Sequence, residues 1–203
     1  MSDVKLNSVR IAGFKSIKDA KIDLRDVNVL IGPNGSGKTN FISALYFLQN
    51  IVDKKLQSYI GRTGLPYLLY GGPKEARSIE MEFSFGQNSY GFELVPNDSG
   101  TLVFSKEYFG FNNNIWDVRR APFGFESDYE KGVRNGIDDY VQPVLDAKRW
   151  KVYHFHDTTV TSGMKQVGNV SDTVDLHHDA SNLAPFLYML KQSYVRSYER
   201  ILH

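Results

Sequence analysis

One short loop, Gly32-Pro33-Asn34-Gly35-Ser36-Gly37-Lys38-Thr39, constrains this chain more than any other stretch. It fits the pattern G-x-x-x-x-G-K-[ST]. It lies between an apolar run, Val29-Leu30-Ile31, and a segment in which Phe41, Ala44, Leu45, Leu48 and Val52 recur at helical spacing. Buried strand, glycine loop and helix in that order make a cradle for a polyphosphate. Gly35 and Gly37 permit backbone angles closed to other residues, so successive N–H groups can turn inward on one anion. The helix adds its unpaired N–H groups and the positive end of its dipole. Lys38 brings a full charge to the β- and γ-phosphates, and the Thr39 hydroxyl suits a Mg²⁺ ion. A chance glycine turn before a helix is the alternative, and the agreement of motif with flanking elements argues against it. The expected nucleotide-binding residues are therefore Asn34, Gly35, Ser36, Gly37, Lys38, Thr39 and Asn40, with Lys38 as the catalytic charge.

The 203 residues can hold one large domain or two small ones. A 41% hydrophobic content, with 13 Phe and 12 Tyr, is enough for a substantial core. A formal charge of +1 leaves no overall field to recruit nucleic acid or an anionic membrane, so such a contact would need a local patch. The absence of cysteine excludes disulfides, cysteine catalysis and thiolate metal sites, and it fits a reducing cytoplasm. No signal-peptide core is present at the amino terminus, and no apolar run approaches the ~20 residues of a membrane span.

Along the chain, Val4 to Leu30 reads as three short strands with a turn at Gly13-Phe14-Lys15-Ser16, and a helix follows from about Lys38 to Lys55. Leu56 to Arg77 is rich in Gly and Pro and reads as irregular, with Leu65 to Tyr70 as a tucked-in loop or one helical turn. Ile79, Met81, Phe83 and Phe85 alternate with Glu80, Glu82 and Ser84; Tyr90, Phe92 and Leu94 continue the alternation. The span 78–109 is thus an antiparallel meander. Asn112 to Asn135 reads as a long surface loop or a partly ordered insertion, 137–147 as a helix, 151–156 as another core strand and 157–179 as a second loop. Leu183, Phe186, Leu187, Leu190, Tyr194 and Ile201 place one face of a final helix.

The wording from Gly32 to Asn40 resembles that of ABC-type ATPases, and Val9 to Ser16 resembles the opening of their RecF, SMC and OLD branch. Tyr153 to Thr159 and Asp179 to Ala184 resemble prokaryotic RecF-like "AAA-family" ATP-binding proteins, which occur among phage-defence and mobile-element genes. The D-x-x-G and N-K-x-D motifs of a GTPase are absent. The resemblance implies an α/β P-loop NTPase lobe with a mixed core sheet and an antiparallel meander, ATP and Mg²⁺ as cofactors, and a cytoplasmic setting. It also implies that two heads sandwich two nucleotides, each P-loop facing the signature of the opposite head. The Walker B strand and the L-S-x-G-type signature expected in the second half have no counterpart in this sequence. The reading is accordingly a single amino-terminal nucleotide-binding lobe, 1–203, with the second lobe absent. Its expected partners are the missing carboxy-terminal half or a second subunit, a homodimer of complete heads, and DNA or an effector protein, without a membrane. Hydrolysis is expected of the complete protein. The rivals are a non-hydrolysing, nucleotide-dependent scaffold and a small-molecule phosphotransferase, for which Arg119-Arg120 would serve as a lid.

Further positions carry two readings each. Lys15 and Ser16 match the family's turn beside the nucleotide, or form an ordinary β-turn. Gln166 stands where the family places a glutamine that senses the γ-phosphate through Mg²⁺, or is a solvated loop residue; Gln142 is the poorer option. His154, His156, His177, His178 and Asp179 could imitate a metal site, although their spacing fits no standard zinc signature. Tyr153 and Phe155 read as core in preference to a base-stacking platform. Lys148, Arg149 and Lys151 read as a solvated cluster in preference to a DNA contact.

Overall fold

The computed structural model describes residues 5–112, 114–118, 124–130, 150, 151, 153, 163–177 and 180–202. Two compact units make up the chain, 1–150 and 151–203. The first is built on β1 (Ser8–Phe14), β2 (Ile17–Asp23), β3 (Ile79–Phe85), β4 (Asn88–Pro96), β5 (Leu102–Phe111) and β6 (Asn114–Asp117). These strands form one sheet in the order β2-β1-β3-β4-β5-β6, and every pairing among them is antiparallel. A mixed core sheet is not found among the described residues; the expected strand at 151–156 lies largely outside them, as does the expected helix at 137–147.

Alternation decides which face of this sheet is buried. Ile79, Met81, Phe83 and Phe85 of β3 all point into the core, and Val9 and Ile11 of β1 and Phe92 and Leu94 of β4 join them. The helix α1 (Lys38–Val52) covers that face, burying Phe41, Ala44, Phe47, Leu48, Ile51 and Val52. Phe47 is the centre of the contact, with ring centroids 5.3 Å from Phe14 and 6.3 Å from Phe92. The opposite face is polar. Arg10 bridges Asp19 and Glu80 there, and Tyr108 lies across Gly91 and donates to Glu82 at 2.7 Å.

Leu56 to Arg77 is more regular than expected. It contains α2 (Leu56–Thr63) and a single helical turn, α3 (Leu65–Leu68). Gly61 sits inside α2, where a glycine costs about 1 kcal/mol but does not forbid a helix. Gly64, at φ 86°, ends it. The Glu126 carboxylate caps α2 by accepting from the N–H groups of Leu56 and Gln57, both at 3.0 Å. Part of the expected surface loop is thus packed: Ser127 and Tyr129 are buried.

The reason is a buried carboxylate. Glu107 of β5 accepts from the Tyr90 hydroxyl at 2.7 Å, from Ser127 Oγ, and from the Asp128 N–H at 2.9 Å. Each buried donor left without an acceptor costs about 1–3 kcal/mol. Glu107→Ala should therefore lower stability by about 3 kcal/mol or more, read as the shift in a denaturant unfolding midpoint. Burial, and then the Glu107 charge, push the Tyr90 hydroxyl well above its ordinary value. Burial is also the main cause of the upward shifts of Tyr59 and Tyr108. All three are raised in the folded state, so their contribution is complete below the unfolded tyrosine value of about 10 and is lost as pH rises from there through the higher folded values. Unfolding free energy should fall on going from pH 9 to pH 11, and Tyr90→Phe should lessen that slope.

In the second unit the final helix is two helices, α4 (Leu183–Ser193) and α5 (Val195–Leu202), where one was expected. The break is at Tyr194, whose φ of −136° and ψ of 55° are not helical. Before α4, the buried Asn182 amide donates to the Asp172 and Asp175 carbonyls at 3.0 and 2.8 Å and accepts from the His177 N–H at 2.8 Å. One side chain thus fixes the preceding turn.

Candidate nucleotide-binding site

The loop between Gly32 and Thr39 has the backbone its glycines predict. Gly35 and Gly37 adopt φ of 84° and 91°, in the left-handed region, and Ser36 N–H donates to the Pro33 carbonyl at 3.2 Å. Gly37 is the residue before α1, and its carbonyl takes the first helical bond, from Phe41 N–H at 2.9 Å. No side chain caps this helix and no acidic residue stands in its first turn, so its leading N–H groups face outward for an anion.

Lys38 folds back over the loop. Its ammonium donates to the Gly32 carbonyl at 2.7 Å, the Pro33 carbonyl at 2.8 Å and Ser36 Oγ at 3.3 Å. The cation therefore sits on the loop, where a phosphate oxygen would exchange neutral carbonyl partners for a charged one. Thr39 is exposed on the first turn, and its hydroxyl makes no hydrogen bond among the described residues, which suits a Mg²⁺ ligand. Asn34 is exposed at the tip.

The turn joining β1 to β2 comes to the same place. Lys15 takes a left-handed φ of 51°, which lets two residues close the hairpin between Phe14 and Ile17. Ser16 Oγ accepts from the Asn40 amide at 2.7 Å and would lie 3.4 Å from a Cβ built on Gly37. Lys15 is half-buried, which lowers its pKa, and its ammonium lies 5.5 Å from the Phe14 ring centre. Lys15, Ser16, Lys38, Thr39 and Asn40 are thus neighbours. Gln166 belongs to the second unit, on the surface directly after a 3-10 turn, Gly163–Lys165.

The lead-in strand is the principal correction. The run 27–31 was expected as a buried strand, yet Val27, Val29 and Ile31 are 80%, 76% and 89% exposed and pair with no strand. An apolar run of this kind is buried when strands flank it on both edges. Among the described residues no strand does.

The other expectations gain little. His177 is held by Ser181 Oγ at 2.9 Å and stands 3.4 Å from Asp172, and no metal-binding group of three occurs among the described residues. His154, His156, His178, Asp179, Phe155, Arg119, Arg120, Gln142, Lys148 and Arg149 lie outside them. Lys151 pairs with Asp175 at 3.4 Å. No helix among the described residues is long and apolar enough to cross a membrane. Sequence reasoning missed Tyr67, an exposed aromatic near Lys15 and Ser16; only its place in an otherwise core-forming run could have flagged it.

The family model AAA_15, described as AAA ATPase domain, matches residues 4–178. The chain belongs to that family. Within it, this AAA ATPase domain is a RecF/SMC-like P-loop ATPase lobe. It is similar to the chromosome partition protein Smc of Methanocaldococcus jannaschii, 28% identical over 100 residues, covering 49% of this chain and 8% of Smc. It is also similar to the DNA replication and repair protein RecF of Oenococcus oeni, 43% identical over 44 residues, covering 21% of this chain and 12% of RecF. A solved structure described under ATP-driven dimerization and DNA-stimulated activation of SMC ATPases matches 72% of this chain and 85% of its own, at 17% identity and a TM-score of 0.41. The matches span about a tenth of the length of these two curated relatives.

Proposed function

We propose that this AAA ATPase domain binds ATP with Mg²⁺ through residues 32–40, and that hydrolysis requires further strands and a second head. The observation that carries the binding reading is the Lys38 ammonium poised on the loop at an uncapped helix start. In this reading Lys38 holds the β- and γ-phosphates, the N–H groups of Gly35 to Asn40 surround them, and Thr39 holds Mg²⁺. Lys15 and Ser16 touch the sugar or the inner phosphate. Mg²⁺ when bound would neutralise charge developing on the phosphates.

The need for a complement in catalysis rests on two observations. No apolar run ending in an acidic pair occurs in the sequence, so the water-orienting carboxylate would come from another segment. The exposed run at 27–31 leads straight into the cradle and would gain flanking strands from that same segment. A homodimer of completed heads acting on DNA or on an effector protein, in a cytoplasmic setting such as phage defence, extends this reading.

Titration of a fluorescent ATP analogue against the chain and against Lys38→Ala tests the site. Equal affinities would remove the loop from consideration. A non-hydrolysing scaffold is the second reading, favoured by the same exposed run: nucleotide would then only order an interface.

A further inference from the structure

Beside the phosphate cradle the surface falls into an open depression of about 600 Å³. Lys15, Ser16 and Asn40 form its near wall, and Tyr67, Leu69 and Gly72 its far wall. The near wall is the one already joined to the cradle through Ser16, which is bonded to Asn40 and close to Gly37. The far wall is fixed to the same hairpin. Lys15 N–H donates to the Leu68 carbonyl at 2.7 Å, Tyr70 N–H donates to the Gly13 carbonyl at 2.9 Å, and Phe14 bridges to Leu69.

The run Leu65 to Leu69 is apolar, yet it divides sharply. Leu68 and Leu69 are buried, whereas the Tyr67 ring is 77% exposed on the rim of the depression. Its direction is set by backbone: Gly64, with a left-handed φ, leaves room for the ring, and a Cβ there would stand 3.1 Å from Tyr67 Cδ2. The short turn thus presents an aromatic side chain to solvent in a depression that Lys15, Ser16 and Asn40 also line. That combination suits a flat heteroaromatic ring carried on a polar sugar.

We propose that this depression seats the nucleoside end of the bound nucleotide, with Tyr67 as the platform on which the base stacks. The inference rests on the phosphate-cradle reading and extends it by naming what holds the other end of the ligand. Stacking engages any base through its π-face, so Tyr67 contributes affinity without choosing between adenine and guanine.

The test uses the full chain, ATP and inorganic tripolyphosphate, each with Mg²⁺ at up to millimolar concentration, with binding read by ligand-detected NMR. Tyr67→Ala is expected to weaken ATP about tenfold and to leave tripolyphosphate unchanged. Tyr67→Phe should keep the affinity of the parent chain, because the ring and not the hydroxyl does the stacking. GTP should show the same loss as ATP in Tyr67→Ala. Tyr67 is exposed, so unchanged thermal unfolding of both variants is expected. Equal ATP affinity in Tyr67→Ala and the parent, or an equal loss for ATP and tripolyphosphate, overturns the stacking role. Tripolyphosphate binding that does not depend on Lys38 overturns the cradle, and the base platform with it, whatever Tyr67→Ala does to ATP.

Discussion

ATP turnover by this chain alone is expected to fall well below the roughly 1 s⁻¹ at which typical enzymes begin, and, in the proposed reading, to rise into that range when a polypeptide supplying the acid and the opposing clamp is added. The expectation follows from which parts of the chemistry the chain holds. Phosphoryl transfer asks the protein mainly for position and charge stabilisation, and Lys38 with the leading N–H groups of α1 meets only part of that demand. A positioned base or water-orienting acid typically contributes about 10²–10⁴-fold, and a further charge-stabilising clamp about 10²–10³-fold. In the proposed reading both come from another segment, and the chain alone should then run slower than a complete head by several orders of magnitude. Phosphate release, measured with and without the complementing polypeptide, reads the effect directly. Brisk turnover by the chain alone would show that its own residues supply the acid. Assembly of the two halves without turnover would favour the scaffold reading.

For Lys38→Ala, loss of most of the phosphate affinity is expected. A charge-assisted hydrogen bond contributes about 1.5–3 kcal/mol net, and each 1.4 kcal/mol is about tenfold in dissociation constant. The variant should thus bind ATP ten- to a hundredfold more weakly. Stability should hardly change, because the lysine's hydrogen bonds lie at the surface. The Gly32 and Pro33 carbonyls can turn to water instead, and such surface changes stay within about 0.5 kcal/mol. Equilibrium titration paired with thermal unfolding separates the two quantities. A collapse in unfolding temperature would mean that the lysine supports the fold and not the ligand.

How far the sequence could be read depended on whether each residue's surroundings were local. The meander was legible because alternation is a property of neighbours two apart: Ile79 to Phe85 and Tyr90 to Leu94 point as their pattern says. The glycine loop was legible for the same reason, since Gly35 and Gly37 permit the left-handed angles they adopt without the help of any distant residue. The run at 27–31 misled because hydrophobicity states that a segment wants to be covered, not which segment covers it. α2 was hidden by Gly61, and its cap, Glu126, stands 70 residues away from Leu56. Nothing local in the sequence marks Glu107; its value comes from Tyr90, Ser127 and Asp128, which no spacing rule connects. Beside the loop, Lys15 and Ser16 were named through family wording, whereas Tyr67 was lost in a run that reads as core.

The folded-back lysine has a consequence for how a ligand would arrive. A loop already braced by its own cation does not have to be moulded around the incoming anion. Little ordering entropy then remains to be lost on binding, and association amounts to a swap of partners around one nitrogen. Encounter can be quick and the heat released modest, which is the behaviour of a receptor that waits in shape for its guest.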